Sequence, residues 1–107
     1  MSQKRTLEEI LAVTGLPVKY YEYIGTKKEY IVYNEEAEQL VDHGDNKPLN
    51  NIIWWQVHIF TPKSSDFRGL KESAKAALLD NDYIITDIAT LYEKETTTMH
   101  VIISCHI

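Results

Sequence analysis

The chain has 107 residues, 44% hydrophobic and 25% charged, with a net charge of −5 and a pI near 5.3. That length suits one domain, and the apolar content is too high for intrinsic disorder. The acidic balance lacks the basic footprint of a general nucleic-acid binder, and the lone Cys105 excludes an internal disulfide.

Met1–Arg5 leads into Glu8 and Glu9 rather than the apolar run of a signal peptide. Thr6-Leu7-Glu8-Glu9 reads as a capping box, in which the Thr6 hydroxyl and the Glu9 carboxylate satisfy each other's amides. Leu7, Ile10 and Leu11 then share one stripe, and Gly15 and Pro17 stop the helix, predicted over about Leu7 to Thr14. Val18 to Ile24 is β-rich, Gly25 to Lys28 reads as a turn, and Tyr30 to Tyr33 is a second strand. Together these predict a β-hairpin.

The segment at about 34–51 differs from the rest. Glu35, Glu36, Glu38, Asp42 and Asp45 face a single cation, Lys47, so five acids against one lysine leave −4. We expect the second strand to continue toward Leu40 and Val41 and the chain then to turn, making a long acidic connection to the third strand. Connections of this length in small domains are usually functional or disordered.

Ile52 to Phe60 is the strongest strand signal. Ile53, Trp55, Val57 and Ile59 share the expected core face, with Trp54, Gln56, His58 and Phe60 opposite. That second face is covered either by the domain's own first helix or by another subunit, and an exposed Trp54 and Phe60 would mark an interface. Ser64 or Ser65 can cap a helix in which Phe67, Leu70, Ala74, Ala77 and Leu78 recur at helical spacing, ending at Asp80–Asp82 with Asn81 as a left-handed candidate. In the fourth strand Ile84, Ile88 and Tyr92 are predicted to oppose Ile85, Ala89 and Leu91. In the fifth, Val101, Ile103 and Cys105 oppose His100, Ser104 and His106. The order α-β-β-β-α-β-β predicts a single α+β domain over 1–107, a mostly antiparallel sheet of about five strands with two helices. The longest apolar stretches are too short to span a bilayer.

No arrangement carries catalysis. His43, His58, His100 and His106 read as polar-face residues, since a zinc site needs three or four converging ligands. Cys105 lies in phase with Val101 and Ile103 and reads as buried rather than nucleophilic. Glycine-rich phosphate loops are absent. Glu35 and Glu36 point to opposite faces if extended. We expect no enzyme activity, no metal and no cofactor.

Tyr30–Glu36, Trp55–Thr61, Ile84–Glu93 and His100–Ile107 together resemble small phage and prophage proteins of Gram-positive bacteria that act in tail completion or head–tail joining. The resemblance covers about residues 18–107. Such proteins, like the similar tail terminators of lambdoid phages, are α+β domains that form rings, often hexameric, between the capsid connector and the tail tube. It implies a virion protein, assembled in the host cytoplasm, whose partners are its own copies, connector and tail-tube proteins. DNA would pass through the lumen without being read. On that reading Glu35, Glu36, Glu38, Asp42 and Asp45 face a channel or docking partner, and Trp54 and Phe60 face another subunit. A stand-alone binding or regulatory module, or a small enzyme or metal-binding domain, remains the alternative.

Overall fold

The computed structural model describes residues 6–41 and 50–107; Asp42, His43 and Asp45 lie outside them. The elements are α1 (Leu7–Leu11) with a 3₁₀ turn (Ala12–Thr14), β1 (Val18–Tyr20), β2 (Tyr30–Val41), β3 (Asn50–Pro62), α2 (Phe67–Asp80), β4 (Ile84–Glu93) and β5 (Thr98–His106). They form an α+β domain whose five-stranded sheet has the order β1-β2-β3-β5-β4. Every pairing is antiparallel except β1 with β2.

The capping box forms as the sequence dictates. The Glu9 amide donates to Thr6 Oγ1 at 3.2 Å, and the Thr6 amide donates to Glu9 Oε1 at 3.2 Å. Gly15 ends the 3₁₀ turn at φ 79°, where a side chain would be strained. The predicted β1–β2 hairpin is not formed. β1 stops at Tyr20, because Tyr21 adopts φ 65°, and residues 21–29 loop back so that Val18–Tyr20 run parallel to Ile31–Tyr33. β-propensity favours extended backbone but carries no information on strand direction.

Helix α2 also starts later than expected. Asp66, not Ser64 or Ser65, is the N-cap, its Oδ1 accepting from the Gly69 amide at 3.1 Å. At the other end Asp82 rather than Asn81 takes the left-handed conformation (φ 68°), while the Asn81 side-chain Nδ2 donates to the Ala77 carbonyl at 2.8 Å.

Both helices pack on one face of the sheet. The core joins Leu7, Ile10 and Leu11 of α1 and Ala74 and Leu78 of α2 to Ile31, Val57, Ile59, Val101, Ile103 and Cys105, all buried. Burying such side chains, each contributing about 1.5–3 kcal/mol, sets which sheet face is inside. Two bulges shift the alternation. One at Thr86 separates the Ile85–Cys105 and Asp87–Ser104 pairs, so Ile85 and Ile88 both reach the core face instead of opposing each other. The other, at Glu36, changes the phase of the distal half of β2.

Candidate functional site

Pairing of β3 with β5 extends only from Pro62 to Trp54. Beyond that point β2 and β3 have no further strand neighbour among the described residues, with Ala37–Val41 paired to Asn50–Trp54. This is a two-stranded arm, and its described residues contribute nothing to the buried core; Leu40 is 62% exposed. The described part of the acidic segment, 34–41 and 50–51, is therefore strand. An isolated two-stranded ribbon is marginal in water, and this one also carries Glu38 on β2.

The acids do not share one surface. Glu35 is opposite Trp55 on the helix side and accepts from the Tyr20 hydroxyl at 3.0 Å. Glu36, the bulged residue, lies on the other side and accepts from Gln56 Nε2 at 2.9 Å. Glu38 pairs with Ile53 on the arm. The described acids of the predicted interaction set, Glu35, Glu36 and Glu38, thus divide between both faces and the arm.

The face opposite the helices has no helix on it among the described residues. Trp54, Gln56, His58 and Phe60 lie there, so the domain's own first helix does not cover them. An aromatic row crosses this face. Tyr23 stacks on Tyr30 with centroids 4.5 Å apart, Tyr30 on Phe60 at 4.9 Å, and Phe60 on His100 at 4.2 Å. Gly25 makes room for it, since a Cβ there would overlap the Tyr23 ring. Trp54 packs separately against His106, centroids 4.3 Å apart.

A polar chain runs beside the aromatic row. Because Gln56 Nε2 donates to Glu36, its Oε1 faces His58 Nε2 at 3.2 Å, which must carry the proton. His58 Nδ1 then accepts from His100 Nε2 at 2.8 Å, and His100 Nδ1 lies 3.4 Å from Glu93 Oε2. Burial lowers the pKa of both imidazoles, His58 further through its neighbour His100, while Glu93 pulls His100 back upward. Alternation predicts that these histidines share a face. Their direct contact follows from the Phe60–His100 register, which no local pattern reveals.

Among the described residues no three His, Cys, Asp or Glu side chains converge as metal ligands. Cys105 is buried, and desolvation pushes its thiol up to about 12, which suppresses the nucleophilic thiolate. No described helix is long and apolar enough to cross a membrane.

The sheet is also unpaired along its margins. β1 covers only Ile31–Tyr33 of β2, and β4 has no outer neighbour among the described residues. Ile84, Leu91 and Tyr92 of β4 are 54%, 50% and 45% exposed. Such edges invite strand addition.

The fold has a known counterpart. A chain in a solved structure described as "Virion of native gene transfer agent (GTA) particle" superposes with a TM-score of 0.60, covering 91% of this chain and 81% of that one, at 12% identity. At that identity the likeness establishes a shared fold. No family model matches the sequence, and no curated protein does.

Proposed function

We propose that this chain is a structural virion protein of a phage or prophage, acting at the head–tail junction in tail completion and assembling as a ring around the DNA channel. The observation that carries the proposal is the two-stranded arm standing clear of the core, with Glu35 and Glu36 at its base and Glu38 along it, on a sheet with exposed margins. A surface of that kind gains stability when neighbouring copies or connector subunits pair with it, and heterologous contacts that close give a ring. The fold shared with a virion chain supports the same reading, as does the resemblance to head–tail joining proteins of Gram-positive phages.

The role requires no reaction. Acids repeated around a lumen repel the phosphate backbone, so DNA passes without adhering. On this reading Glu35, Glu36, Glu38, Asp42 and Asp45 line the channel or meet the connector, and Trp54 and Phe60 are covered by a neighbour.

Electron microscopy of the protein with purified tail tubes tests this. Rings capping tube ends are the expected result, and Leu91→Lys on the β4 edge should reduce their number. A chain that stays monomeric and unattached to tubes, together with parent particles that join heads to tails without it, would overturn the proposal.

A further inference from the structure

The helix-side base of the arm contains a second surface, unrelated to the uncovered face. A pocket of about 250 Å³ is lined by Tyr20 of β1, Tyr33 of β2, Trp55 of β3 and Tyr83 just before β4, with Thr6 and Leu7 at the start of α1. The rings of Tyr20, Tyr33 and Trp55 lie with centroids 5.2, 5.9 and 6.5 Å apart. Two carboxylates stand at the rim. Glu8 Oε1 accepts from the Tyr33 hydroxyl at 3.0 Å, and Glu35 Oε1 accepts from the Tyr20 hydroxyl at 3.0 Å. Among the described residues no lysine or arginine lines the pocket. Desolvation, and next the bonds to these carboxylates, push both phenols up to about 12, so the tyrosines stay neutral donors.

Each feature favours a cation. Aromatic faces present negative potential to an ammonium or guanidinium group. Each carboxylate donates one oxygen lone pair to a tyrosine proton and keeps others for a charged donor. Tyr20 is 44% exposed, so the pocket is reached from solvent. A neutral apolar ligand would leave the rim carboxylates facing it without gain.

The geometry points to this aromatic cage as a docking site for one lysine or arginine side chain of a partner protein, gripped where the arm leaves the core. The ring reading is not needed for it: the cage can bind a basic side chain whether or not the protein encircles DNA.

Two short peptides test it, one bearing a single arginine between glycines and serines, the other citrulline in its place. They are titrated into the full chain while the tyrosine and tryptophan ring resonances are followed by NMR. The arginine peptide should shift Trp55 and the cage tyrosines saturably, and citrulline should bind about tenfold more weakly. Glu8→Gln with Glu35→Gln, both changes on the exposed rim, should weaken arginine binding by about tenfold and leave the fold intact. Trp55→Leu should abolish it, and if that variant fails to fold, the rim variant still decides. Equal binding of the two peptides, shifts centred on Trp54 instead of Trp55, no saturable shift, or indifference to the rim variant would each overturn the assignment.

Discussion

Lowering the pH from about 7 to about 5 should destabilise this fold through His58 and His100. Their ring centroids are 5.0 Å apart. Two imidazolium charges at that distance repel by about 3 kcal/mol at an effective dielectric of about 20. The native pair therefore takes at most one proton in this range, held by His100 between His58 Nδ1 and Glu93. The unfolded chain takes two once the pH passes below about 6.5. Burial lowers both folded-state pKa values, so the sign follows directly. The stability from these groups is complete above the unfolded-state value and is lost as pH falls through it toward the folded ones. One excess proton on the unfolded chain gives a loss of about 1.4 kcal/mol per pH unit, so about 2 kcal/mol by about pH 5. That is a substantial part of a total of about 5–15 kcal/mol. Urea unfolding at several pH values measures it. His58→Gln removes the competing imidazole and should flatten the dependence over this window. A wild-type midpoint that does not move between about pH 6.5 and 5, or an undiminished loss in His58→Gln, would refute the reasoning.

Thr61 is fully buried, and its hydroxyl has no hydrogen-bond partner among the described residues. Thr61→Val should therefore stabilise the protein by about 1 kcal/mol, read as a raised melting temperature, since it removes a desolvated polar group at nearly constant volume. Thr6→Ala breaks the capping box and should cost about 1 kcal/mol in urea denaturation, with faster hydrogen exchange across α1. Cys105 should resist a thiol reagent such as a disulfide dye in the native state and react at the rate of unfolding, because it is buried and its thiol is pushed up to about 12. Gly15→Ala places a side chain at φ 79° and should destabilise by about 1 kcal/mol, although the site has open space around it.

Local rules made much of this protein legible. The capping box at Thr6–Glu9, the stripe of Phe67, Leu70, Ala74 and Leu78, and the alternation of Val57 with Ile59 each depend on neighbours within a few residues. The α+β class and the element order follow from these signals taken together. The continuation of β2 to Val41 was legible from Leu40 and Val41 in the same way.

Tertiary structure alone decided the rest. Val18–Tyr20 has the composition of a hairpin strand, yet its direction relative to β2 depends on how residues 21–29 return. The bulge at Thr86 reverses which β4 residues face inward, because two inward isoleucines, Ile85 and Ile88, bury more apolar area than strict alternation allows. The His58–His100 contact and the Tyr20, Tyr33, Trp55 and Tyr83 cage join residues far apart in the chain. Periodicity assigns a side chain to a face of its own element. Which side chains meet is set by strand order and register, and those are fixed only when distant elements bury their apolar surfaces against one another.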